Sequence, residues 1–259
     1  MSLILNPALT QFDLEVARGN VPGMAAVVKF GFNSDVDTTS DPEDVWDAGG
    51  VYVPPTAARV HNLVSDDAND TSAGSGLQTV RVYGLDAALA LQEETVALNG
   101  VTPVATSGSY LRMFRMQILT AGAGEVNAGT ITATAVTDAT VSAQINVGLG
   151  QTGMAVYSVP TGKTAYMTRA WASQHMVGGG SGAAQLTLYE RTGIETAVPA
   201  ARMRHRVGFD VTGTSARSWR YIPPKVFVGP CDIWWRCDVV TVSNTAIGAG
   251  FDLIVVDGG

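Results

Sequence analysis

Glycine and proline interrupt this chain so often that little room is left for helices. There are 29 Gly and 11 Pro in 259 residues, and between them lie short runs of β-branched and aromatic side chains. Arg59 to Val64 is such a run, closed by a polar loop over 65–76. Leu77 to Val82 alternates until Gly84, and Ile131 to Val136 follows the Gly-rich AGAGEVNAG. Ala155 to Val159 leads through the turn Pro160-Thr161-Gly162-Lys163 into Thr164 to Thr168, and VGGGSG (177–182) leads into Ala184 to Glu190. Further strands are expected at 200–209, 217–222, 232–242 and 249–256. Turn signals at this spacing, without a convincing amphipathic helix, predict an all-β fold, a β-sandwich or jelly-roll-like architecture.

One stretch resists that reading. LDAALALQEETVALNGVTPVA (85–105) opens with Leu, Ala, Gln and Glu, all strong helix formers. Its helical window is about ten residues, short for a helix that must stand alone in water. Asn99-Gly100 then supplies the positive-φ pair of a type I′ turn. The spacing therefore predicts a hairpin, with strands at 90–98 and 101–106 around the turn.

The chain is 46% apolar and 15% charged, the profile of a packed, turn-rich protein and not a disordered one. Two β domains are expected, 34–129 and 130–259, behind an extended N-terminal arm over 1–33. Charge is uneven: residues 1–130 carry −9 and residues 131–259 carry +2. Either two domains simply differ, or one copy's N-terminal half attracts another's C-terminal half. A nucleic-acid binder would need clustered basic charge, so that class is set aside. No 18-residue apolar stretch exists, so no membrane span is expected, and MSLILNPALTQ lacks the basic start of a secretion signal. Cys231 and Cys237 lie about 20 Å apart along one expected strand, too far to pair. Adjacent Trp234 and Trp235 face opposite ways there, Trp235 with Ile233, Cys237 and Val239 on the core side.

Catalytic patterns are missing. His61, His175 and His205 are scattered, with no Gly-x-Ser-x-Gly elbow and no His-Glu-x-x-His. VGGGSG lacks the Lys-Ser/Thr of a phosphate loop. Carboxylates cluster at Asp35, Asp37, Asp41, Glu43, Asp44 and Asp47, but their spacing is not that of an EF-hand. The stretch Asp41-Pro42-Glu43-Asp44 reads instead as a capped turn anchored by Trp46. The chain is read as non-enzymatic, without metal or cofactor.

Two features point to partners. Arg202, Arg204 and Arg206 would project from one face of a strand while Met203, His205 and Val207 face the core. Such a row either guards an open edge or meets an acidic surface, for which Asp41, Glu43, Asp44 and Asp47 of a second copy are the candidates. The other feature is the apolar start, Leu3, Ile4, Leu5, Leu9 and Phe12, which would be ordered by a neighbouring subunit.

Several segments carry a resemblance: LEVARGNVPGMAAVVKFGFNSDVDT, PEDVWDAGGVYVPP, NDTSAGSGLQTVRVYGLD, EETVALNG, VNAGTITA and, later, GQTGMAVYSVPTGKTAYMTR. Together they resemble a family of virion structural proteins of tailed bacteriophages. The resemblance implies a β-domain particle component, made in the host cytoplasm and residing in the virion, with copies of itself and other virion proteins as partners. A homo-oligomeric capsid decoration or cement protein that clamps shell subunits is the leading expectation. A tail, neck or fibre component, a host-glycan-binding module and a glycan hydrolase are the alternatives.

Overall fold

The structure is a computed structural model that describes residues 12–176, 180–196 and 199–258. A short helix α1 (Phe12–Ala17) leads into β1 (Met24–Val36) and the two-residue β2 (Glu43–Asp44). Seven strands follow: β3 (His61–Ser65), β4 (Leu77–Leu85), β5 (Leu91–Ala97), β6 (Val104–Ala105), β7 (Arg112–Ala121), β8 (Ile131–Ala135) and β9 (Val141–Ile145). Then come β10 (Val156–Val159), β11 (Lys163–Met176), β12 (Ser181–Thr192), β13 (Ala200–Thr212), β14 (Thr214–Val228), β15 (Cys231–Val240) and β16 (Thr245–Asp257). The fold is all-β.

Eight of these strands build a sandwich of two antiparallel sheets, ordered β1-β16-β11-β14 and β10-β15-β12-β13, with β2 added beside β15. Their pairing is nested: β1 with β16, β10 with β15, β11 with β14 and β12 with β13, the pairs alternating between sheets. That is a long antiparallel ribbon wrapped on itself, the connectivity of a jelly roll. Alternate side chains from both sheets meet between them, among them Phe251, Leu253 and Met167 from one and Trp235, Ile233, Leu186 and Leu188 from the other. Trp235 is fully buried and its Nε1 donates across the core to the Gly250 carbonyl at 3.2 Å.

Strands β3 to β9 form a second unit of two sheets, β6-β3-β8-β9 and β5-β4-β7, with its own core of Leu63, Leu77, Val80, Met116 and Ile131. It is an insertion between the first and second strands of the jelly roll. The linkers that enter and leave it run side by side: Val45 and Ala155 are joined by an Ala155 N–H to Val45 carbonyl bond, and Val45 and Ala155 each bond Trp235. The two cores interlock. Trp234 of β15 packs into the insertion's core, while Leu85, Leu89 and Phe114 of the insertion pack into the sandwich. Wholly buried Lys29 on β1 adds a polar tie, its Nζ donating to the Phe114 carbonyl.

This arrangement corrects several expectations. Residues 24–33, placed in the arm, belong to β1 and pair with β16 along its length. The boundary at 129/130 would cut a sheet, since β8 pairs with β3 and β9 with β8. Asn99-Gly100 does turn the chain, but β5 pairs with β4 and β6 with β3, so the turn crosses between sheets and closes no hairpin. Positive φ falls on Gly100 and not on Asn99. The backbone of this turn is claimed by the 65–72 loop through Ser65 N–H to Gly100, Gly100 N–H to Asp70 and Ser72 N–H to Leu98. On β15 a register shift puts Val240 in the core and leaves Val239 outside.

Candidate binding surface

The outward face of the β1-β16-β11-β14 sheet is unusual in the centre. β16 reads TAIGAGFDLIVVD, with Ile247, Ala249, Phe251, Leu253 and Val255 turned into the core. The alternate outward positions include Gly248 and Gly250 in a central strand, where glycine gives up packing. The neighbouring strands use the space. Trp171 of β11 lies over Gly250, so close that a Cβ there would stand 2.6 Å from its Nε1. Phe32 of β1 leans in from the other side, 3.7 Å from where a Gly248 Cβ would be. Phe30, opposite Gly250 in the ladder, completes an aromatic floor, and Phe30 and Phe32 are exposed.

One step along the strands, about 7 Å at the usual rise, the sheet opens. Met167 and Ala170 both face the core, so β11 bulges at Thr168-Arg169. At the same level β14 leaves the ladder from Tyr221 to Pro224, a place where edge-strand prolines are tolerated. Bulges of this kind re-aim side chains. Here they open a cavity of about 640 Å³ lined by Thr168, Arg169, Ser218, Arg220 and Asp252, with Phe12 and Asp13 of α1 on its far wall. Arg169 stands directly opposite Arg220 on one side and Asp252 on the other. Neither guanidinium has an ion pair or side-chain hydrogen bond among the described residues. Burial raises the Asp252 carboxyl pKa, and Arg169 opposes that rise.

The arginine row of β13 is built differently from its sequence pattern. A bulge where Leu188 faces His205 and Tyr189 faces Met203 leaves Arg204 without a cross-strand partner and breaks the alternation. Met203 is thereby turned out, 58% exposed, while His205 and Val207 stay on the core side. Arg202 and Arg204 converge on buried Glu190 at 2.6 and 2.5 Å, and Arg206 lies 3.6 Å from Asp238. The three are not one row on one face. Glu190, which sequence reasoning missed, sits among the apolar alternates of β12, and nothing local marks it as the anchor of two arginines.

The acidic loop is likewise committed inside the chain. Asp44 is buried against Arg236 at 2.7 Å and accepts from Tyr52 N–H. Glu43, also buried, accepts from Asn33 and from Gly50 N–H. Asp41 receives Val240 N–H, and Asp47 receives Gly153 N–H across the linkers of the insertion. The structure does not bring the loop together with the arginines of β13, and Glu43 and Asp44 offer no free acidic surface to a second copy. Leu3, Ile4 and Leu5 lie outside the described residues. No group of three or more potential metal ligands occurs among the described residues.

Asp47 sets a pH dependence. Burial pushes its carboxyl up to about 7, and the Gly153 N–H bond offsets only part of that, since Oδ1 is buried without a partner. The folded protein therefore holds this proton where the unfolded chain has released it. Stability is greatest below about pH 4 for this group and is lost as pH rises toward 7. Asp47→Asn should leave the melting temperature near that of the parent at pH 4.5 and raise it by several degrees at pH 8. A parallel shift at both pH values would remove ionisation as the cause.

No family model matches the chain, and no curated protein matches it. Among solved structures, the tandem CBM22-1–CBM22-2 domain of Paenibacillus barcinonensis Xyn10C aligns over 91% of this chain and 93% of that one. The identity is 10% and the TM-score 0.23, a likeness too low to bear on fold or function.

Proposed function

We propose that this chain is a non-enzymatic structural component of a tailed-bacteriophage virion, in the first place a capsid decoration protein that clamps neighbouring subunits. The observation that carries the reading is the open side of the jelly roll. Both sheets end there, in β13 and β14, strands of 13 and 15 residues joined at Gly213. Long edge strands in a free protein invite pairing with other chains and are normally blunted. Here they carry exposed Met203, Val226, Val228 and Ile222, the last 85% exposed on the β14 bulge. A subunit that is covered in an assembly has a use for such an edge. The phage-like segments and the lack of a catalytic constellation among the described residues agree with that role.

Localisation in purified particles tests it. Many copies over the shell support decoration, whereas a single ring at one vertex would move the protein to the neck or tail. Ile222→Asp with Val228→Asp should abolish incorporation and leave the melting temperature of the isolated chain within a few degrees, since both side chains are exposed. Normal incorporation of that variant would show that this edge is not the contact.

A further inference from the structure

The outward face of the β1-β16-β11-β14 sheet carries a second capacity, on a surface that adjoins the assembly edge at β14. We propose that it binds an acidic oligosaccharide, whose carboxylate is held by Arg169 and Arg220 while a sugar ring stacks on Trp171 and Phe30.

The argument begins with the two arginines. Like charges placed directly opposite on adjacent strands repel, yet Arg169 and Arg220 face each other, and neither makes an ion pair or side-chain hydrogen bond among the described residues. Several other arginines are committed to buried carboxylates: Arg112 to Asp232, Arg236 to Asp44, Arg202 and Arg204 to Glu190. Two arginines at directly opposed positions, both lining one cavity, can meet a planar carboxylate, which a guanidinium fork binds bidentately.

Asp252 decides between anions. It stands beside Arg169 in the same cavity and would repel a ligand that is only negative. A ligand with hydroxyl donors next to its carboxylate satisfies both groups, with Ser218 and Thr168 as further partners on the wall. Uronic and sialic acids have that pairing of groups.

The floor supplies the rest. Ser218 of the cavity is the cross-strand partner of Trp171, so the aromatic surface starts where the charged row ends. Gly248 and Gly250 put no side chain of their own on this surface, which leaves Trp171, Phe30 and Phe32 as its covering, and an exposed aromatic ring can stack on the C–H face of a sugar ring. A cavity of about 640 Å³ with a few convergent polar groups also falls in the size range of ligand sites, about 300–1,000 Å³. Strand addition by an extended peptide would use the free edge of β14 and not this face, because β16 and β11 are central strands whose backbone groups are already paired on both sides.

The test titrates the full chain with oligogalacturonate, oligomannuronate and oligosialate, following tryptophan fluorescence and calorimetry, with maltopentaose, poly-glutamate and inorganic phosphate alongside. Saturable binding of at least one acidic sugar oligomer is expected, weakening with added salt as the arginines are screened. Arg169→Ser with Arg220→Ser should weaken it about tenfold or more, and Trp171→Ala should do the same, with melting temperatures showing that both variants fold. Lys163→Ser, a surface cation at the far end of β11, should bind normally. Binding of none of the three acidic oligomers overturns the proposal. So does equal affinity for maltopentaose, which would remove the role of the arginines, or equal affinity for poly-glutamate, which would make this a protein-docking face.

Discussion

Asp70→Ala should lower the melting temperature by about 10 °C, which corresponds to about 3–5 kcal/mol for a chain of this size. Asp70 is wholly buried in the 65–76 loop and every acceptor position of its carboxylate is used. Oδ1 receives Leu77 N–H at 2.7 Å and Ala128 N–H at 2.8 Å, while Oδ2 receives the Ser65 hydroxyl at 2.6 Å and Gly129 N–H at 2.8 Å. Three of these donors are backbone groups from both sides of the insertion, and alanine would leave all three without this partner, those of Leu77 and Gly129 in buried positions. Each orphaned donor costs about 1–3 kcal/mol, less whatever water can enter. Asp70→Asn keeps the shape but turns one acceptor into a donor, so it should recover only part of the loss. Asp67→Ala is the control, because Asp67 caps its own turn through Asn69 and holds no distant segment. Thermal and urea denaturation read all three. If Asp70→Ala melts within two or three degrees of the parent, the carboxylate is not the tie between these loops.

The strands were legible because period-two alternation and turn residues are local signals. β4, β8, β11 and β16 all fall where the pattern places them. What the pattern lacks is any record of which strand meets which. β1 pairs with β16 across more than two hundred residues, and that pairing alone makes 46–153 an insertion and not the first of two successive domains. Asn99-Gly100 misleads for the same reason: the residues permit a tight turn, but partners elsewhere in the chain decide whether strands flank it. The β13 arginines show a finer limit. One extra residue in the ladder at Arg204 sends Met203 to solvent, and a bulge leaves no compositional mark. Asp70 hides among Asp66, Asp67 and Asn69, which look alike until the distant donors at 128 and 129 are placed. The aromatic floor had a readable cue, the Gly-x-Gly at outward positions of an otherwise apolar strand. Only the neighbouring strands show that Trp171 and Phe32 fill the space those glycines leave.

The second large effect is expected at the junction of the two units. Arg112 of β7 lies in the insertion and Asp232 of β15 in the jelly roll, and the Arg112 Nε meets the two carboxylate oxygens at 3.0 and 3.2 Å. Both side chains are buried, at 6% and 5% exposure. The Ser158 hydroxyl donates to the same carboxylate at 2.7 Å, and Arg191 lies 3.8 Å from it. Burying two charges is expensive, so the pair itself adds little over a well-packed apolar contact. Removing one member is another matter, because the other charge remains buried and uncompensated. Asp232→Ala should therefore cost about 3–5 kcal/mol, with Ser158 and Arg191 also losing their acceptor. Asp232→Leu combined with Arg112→Met should regain much of that loss, since the double replacement removes both members of the buried pair and keeps the volume filled, leaving only the Ser158 hydroxyl and the partly exposed Arg191 without this acceptor. A double-mutant cycle by urea denaturation separates the cases. A strongly favourable coupling energy is expected. If the double variant is as unstable as the sum of the two single changes, the side chains contribute by packing alone and the junction does not depend on their charge.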